Sequence, residues 1–114
     1  MKSLCMSIKD FKEIIKSLDF SYNNNDLILC IKCEKADIYF KFILEETNIS
    51  TYYINDSVTI DTEDILLMFE YKLISNIVDK TDTGNIKFEL NNKKVFVTIT
   101  NSIEIKTEFL NTVD

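Results

Sequence analysis

The sequence predicts an α+β fold: one domain over residues 1–114, built from duplicated β-α-β-β-β units whose two helices pack on one face of a curved antiparallel sheet. Three observations carry this expectation. The 114 residues are enough for one domain and not two. Two segments place apolar residues at helical spacing behind a capping residue, and almost everything else alternates or is rich in β-branched side chains. The order strand, helix, strands then occurs twice, over roughly residues 1–45 and 57–110.

Residues 2–6 read as a short opening strand. Ser7 caps the first helix, with Asp10 in the capping-box position near the positive helix end. Ile8, Phe11, Ile14, Ile15 and Leu18 form its apolar face. Residues 26–33 and 36–45 pair as a hairpin across Glu34-Lys35, and residues 48–54 and 57–60 lead into the second helix. That helix is expected to start at Asp61, with Glu63 and Asp64 in its first turn. Ile65, Leu66, Phe69 and Leu73, with Met68 beside them, supply its buried side. Residues 85–90 and 94–100 flank Asn91-Asn92-Lys93, whose asparagines suit the positive φ of a hairpin turn. Residues 103–110 alternate as a half-buried strand. Loops are expected at residues 21–26, 55–56 and 79–84. On this scheme Ser7 and Asp61 are equivalent caps, and Phe11, Ile14 and Ile15 correspond to Ile65, Met68 and Phe69.

Composition excludes much chemistry. There is no histidine, arginine, tryptophan or proline, and Gly84 is the only glycine. Without histidine there is no imidazole base, no Ser–His or Cys–His nucleophile pair and no histidine metal site. One glycine cannot build a multi-glycine phosphate loop. No enzymatic activity, cofactor or metal is therefore expected. No apolar run reaches the roughly 18 residues of a membrane span, and residues 1–8 lack the apolar core of a secretory signal. An intracellular protein, in cytoplasm or nucleus, is expected. Cys5, Cys30 and Cys33 are too few and odd in number for a disulfide framework. Cys30 and Cys33 sit three apart on a strand, pointing to opposite faces, so they read as ordinary reduced cysteines rather than a redox or zinc pair. The acidic pairs Glu45-Glu46, Asp61/Glu63/Asp64 and Asp79/Asp82 read as solvated faces and caps, matching no calcium loop.

The stretches Ile49-Ser-Thr-Tyr-Tyr-Ile54, Ser57-Val-Thr-Ile-Asp-Thr-Glu-Asp-Ile-Leu-Leu-Met68 and Ser102-Ile-Glu-Ile-Lys-Thr-Glu-Phe-Leu110 give the chain a resemblance. With the twice-repeated strand–helix–strands order, it resembles one domain of the DNA sliding clamps of the proliferating cell nuclear antigen type. The resemblance implies a non-enzymatic processivity or scaffold factor in DNA replication or repair. Its partners would be duplex DNA, held weakly and without sequence preference, and further clamp-like chains, with a polymerase or other replication protein docking on the assembly. Clamps of this type carry two such domains per subunit and a connector between them. A ring from this single domain would need six copies, or partner chains supplying the missing domains.

A clamp encloses duplex DNA with helices whose lysines touch phosphates. Lys9, Lys12 and Lys16 lie at i, i+3 and i+7 on the first helix, away from its Phe11/Ile15 face, in a chain whose net charge is −6. The plainer reading is a solvated stripe diluted by Asp10 and Glu13, and the expected second helix offers Glu63, Asp64 and Glu70 against one lysine, Lys72. Clamp domains join through open edge strands, which the resemblance assigns to residues 36–45, with Ala36, Ile38, Phe40 and Phe42, and to residues 103–110, with Ile103, Ile105, Thr107 and Phe109. The alternative for residues 36–45 is a central core strand. The rival function is a protein-interaction adaptor or inhibitor that docks its partner by strand addition. Heavy Ile, Lys and Asn usage without arginine or proline fits an AT-rich genome of viral, phage or plasmid origin.

Overall fold

A computed structural model describes residues 2–17, 27–34, 37–44, 47–54, 59–60 and 65–112. It is a small α+β domain of two helices and two antiparallel sheets. Strand β1 (Lys2–Ser7) runs without a loop into α1 (Ile8–Ser17). The expected cap is present: the Asp10 N–H donates to Ser7 Oγ at 3.0 Å. α1 buries Ile8, Phe11, Ile14 and Ile15. Strands β2 (Ile28–Glu34), β3 (Asp37–Leu44) and β4 (Thr47–Ile54) follow as an antiparallel meander, then the two-residue β5 (Thr59–Ile60). Leu18, the loops at 21–26 and 55–56, Ala36, the pair Glu45-Glu46 and the cap Asp61 with Glu63 and Asp64 lie outside the described residues.

The second helix is corrected. Residues Ile65–Glu70 form strand β6, and α2 is Tyr71–Val78. Along β6 the side chains alternate in and out: Ile65, Leu67 and Phe69 are buried, while Leu66 is 52% exposed and Glu70 is open to solvent. That period of two belongs to a strand. The pairing with β2 runs from Cys33 opposite Ile65 to Ile28 opposite Glu70. Ile65, Met68 and Phe69 therefore do not correspond to the α1 face. Strands β7 (Asn85–Asn91), β8 (Lys94–Thr100) and β9 (Ile105–Asn111) complete the chain. In the β7–β8 turn one of the two asparagines, Asn92, takes the positive φ, at 58°, while Asn91 ends β7.

The single curved sheet expected from the sequence is replaced by two, ordered β5-β1-β7-β8-β9 and β4-β3-β2-β6. Together the sheets and helices enclose one core. Phe11 of α1 meets Phe40 of β3 at 6.2 Å and Phe88 of β7 at 5.7 Å, and Phe69 of β6 stacks on Phe88 at 5.8 Å. Phe42 packs edge-on against Tyr71 of α2 at 4.9 Å. Cys33 faces this core, and Cys30 is buried on the opposite face of β2. Among the described residues no helix is long and apolar enough to cross a membrane, and no cluster of His, Cys, Asp or Glu could hold a metal.

Candidate functional site

Lys9 and Lys16 of α1 are exposed. Lys12, between them, is not open in the same way: its side chain is 30% exposed, and Nζ donates to the Thr81 carbonyl at 2.5 Å and to Asp82 Oδ1 at 2.8 Å. Of the three lysines placed on one stripe, two face solvent and the third is held by the α2–β7 loop. The bond and charge of Lys12 keep the Asp82 carboxyl below its ordinary range.

Residues of α1 and α2 line a cleft of about 220 Å³: Phe11, Lys12, Ile15, Lys16, Tyr71, Val78 and Asp79. Lys12 and Lys16 stand on its α1 wall and Asp79 at the end of α2. Burial, with a smaller push from Asp79, raises the Tyr71 phenol above its usual value. Because α2 begins only at Tyr71, Glu63 and Asp64 are not on it. Its one charged residue is the exposed Lys72, with Glu70 just before the helix and Asp79 and Lys80 just after.

Of the two placements open for residues 36–45, a margin or a central core strand, the structure takes the second. β3 is hydrogen-bonded to β2 on one side and β4 on the other, so it is an interior strand. Ile38, Phe40 and Phe42 point into the core, 2%, 0% and 0% exposed, and are not available to a neighbour. The margins of that sheet are β4 and β6, neither of which the sequence reading placed there. For β4 the available signal was topological, since the third strand of a meander is the outer one. The other sheet is bounded by the two-residue β5 and by β9. There Ile105 (74%) and Phe109 (61%) are exposed, as is Ile103 (91%) in the preceding turn. Thr107 is exposed and shares a 3.0 Å hydrogen bond with Thr98. Phe96, also unremarked in the sequence, lies beside Phe109 at 6.3 Å, and Lys94 Nζ sits 5.1 Å from the Phe109 ring centre. Phe96 was legible as the one aromatic residue at an outward position of β8.

The turn before β9 is braced by Asn101, whose Oδ1 accepts from the N–H groups of Ile103 and Glu104 at 2.9 Å each. Among the described residues, further surface hollows are lined by Lys2, Lys32, Cys33, Glu34, Ile65 and Leu66, and by Asn91, Asn92, Lys93, Lys94 and Phe96. No family model, curated protein or solved structure matches this chain.

Proposed function

We propose that this chain is a non-enzymatic, sliding clamp-like processivity or scaffold factor for DNA replication or repair, assembling through its edge strands. The observation that carries the reading is an exchange relation within the fold. Apart from the two-residue β5, which has no counterpart, β1-α1-β2-β3-β4 is followed by β6-α2-β7-β8-β9, and each set lends its first strand to the other's sheet. One sheet contains β1-β7-β8-β9 and the other β6-β2-β3-β4, the same order with the units exchanged. The helix starts match too. The first residue of α1, Ile8, donates its N–H to the carbonyl of Gly84, which precedes β7, at 2.9 Å. The first residue of α2, Tyr71, donates to Leu27, which precedes β2, also at 2.9 Å. On this correspondence Phe11 and Ile15 match Ile74 and Val78, all four buried, and Ser7 matches Glu70 rather than Asp61. A repeated strand–helix–strands order whose last strands lie at sheet margins supports the resemblance.

Under the same relation β4 and β9 are equivalent margins, so β9 of one copy can pair with β4 of the next in a heterologous, ring-forming contact. The exposed lysines Lys9, Lys16 and Lys72 on the two helices would face duplex DNA. Mass photometry and light scattering over a concentration series test this reading. The expected result is a closed assembly of six copies that the double variant Ile105→Lys/Phe109→Lys dissociates without unfolding the chain, since edge lysines oppose strand pairing. A strict monomer, with no clamp-like partner chain in the native complex, overturns the homo-ring.

The exposed Ile103, Ile105 and Phe109 beside an open margin favour one second reading, an adaptor or inhibitor that captures a partner's strand there. Partner identification separates the two. A polymerase or clamp loader supports the clamp, and an unrelated host factor bound at β9 supports the adaptor.

A further inference from the structure

Five anchors set the loop over residues 79–84. The Asp79 N–H returns to the Ser75 carbonyl at 2.9 Å, and the Thr81 N–H to Val78 at 3.2 Å. Thr81 Oγ1 donates to the Thr83 carbonyl at 3.2 Å and receives Asn101 Nδ2 at 3.5 Å. The Gly84 carbonyl accepts from Ile8 N–H at the start of α1. Asp82 thus lies in a loop tied to α1, α2 and Asn101 by bonds other than those of Lys12. Its carboxylate is 93% exposed, yet lies 2.8 Å from the ammonium of the middle lysine of the α1 stripe. A carboxylate oxygen at that distance occupies the position a DNA phosphate oxygen would take.

We infer that Asp82 is an intramolecular phosphate surrogate, neutralising Lys12 so that α1 offers duplex DNA two lysine contacts instead of three, and so setting how loosely DNA is held. This rests on the proposal that the helix face meets DNA, and it deepens that proposal by naming the residue that limits affinity. Each phosphate neutralised contributes a slope of about 0.9 in the dependence of log affinity on log salt, which near 0.1 M salt is roughly a tenfold change in affinity. Asp82→Asn keeps an oxygen acceptor for Lys12, leaves the Thr81 carbonyl in place and removes only the charge.

The test is fluorescence anisotropy of the full chain with a short labelled duplex of mixed sequence, across a salt series. Asp82→Asn is expected to bind about five- to tenfold more tightly near 0.1 M salt, with the salt slope steeper by about 0.9. Two controls isolate the cause. Glu34→Gln removes the same charge from another exposed ion pair, Glu34 with Lys32 at 3.1 Å, at the end of β2 opposite the one that touches α2. It is expected to change affinity less than about twofold. In a Lys12→Gln background the gain from Asp82→Asn should vanish. A gain equal to that of Glu34→Gln, or one that survives without Lys12, overturns the inference. The underlying reading fails separately: if Lys9→Gln/Lys16→Gln leaves wild-type binding unchanged, or no variant binds duplex, the helix face does not meet DNA.

Discussion

Gly84 holds φ at +99°, and a Cβ placed there would come within 2.2 Å of the Thr100 carbonyl oxygen. Backbone rather than a flexible side chain blocks that space, so the only glycine of the chain stands where no other residue fits. Gly84→Ala is expected to lower stability by at least about 1–3 kcal/mol from the backbone strain alone, read by urea unfolding; an unchanged midpoint would contradict the geometry. Asp82 offers a second test at this scale. Its hydrogen bond to Lys12 and the lysine charge depress its pKa, so the link stabilises the fold above the unfolded carboxyl pKa of about 3.9 and is lost as pH falls through the lower folded value. An NMR titration should show Asp82 ionising below the ordinary range in the native chain and returning to it in Lys12→Gln. Burial raises the Cys30 thiol against the opposing pull of Lys41 and Lys32, which suits a packed cysteine rather than a reactive one.

At the scale of the element, the instructive case is residues 65–70. Ile65-Leu66-Leu67-Met68-Phe69 is an unbroken apolar run, compatible with a helix face and with a strand. Asp61, Glu63 and Asp64 just before it imitate a helix start. The strand prevails because β2 offers a partner along the whole run, and because alternation sends Leu67 into the core and Leu66 out. Substitution separates the two assignments. Leu67→Ala is expected to cost about 2–5 kcal/mol and Leu66→Ala less than about 1 kcal/mol, in denaturant unfolding; equal losses would return the segment to a helix. α1, by contrast, was legible from Ser7 and Asp10 together with the spacing of Ile8, Phe11, Ile14 and Ile15, because its start and its buried face are local properties.

At the scale of the whole molecule, the exchange of first strands makes the two halves interdependent. β1 belongs to the sheet of β7–β9, and β6 to the sheet of β2–β4. Phe11, Phe40, Phe69 and Phe88 then join both halves in one aromatic cluster. A chain divided into residues 1–56 and 57–114 should yield fragments that show no cooperative unfolding separately. An equimolar mixture should regain it, as followed by circular dichroism in urea. Cooperative unfolding of either fragment by itself would mean the sheets are not shared in this way.

The half-buried alternation expected of residues 103–110 is not found, β9 starting at Ile105 and burying only Leu110. The α+β class, the capped first helix and the positive φ of Asn92 could be read from the chain, since each follows from patterns within a few residues. Which strand becomes a margin could not. The apolar stretch at 36–45 looks the same as a rim or as an interior strand until β4 takes its place beside it. The capture of Lys12 by Asp82 is likewise a tertiary result: the two are 70 residues apart, and only the anchoring of the 79–84 loop against α1 brings a carboxylate to that ammonium. Local patterning chose the elements, and long-range pairing chose their neighbours.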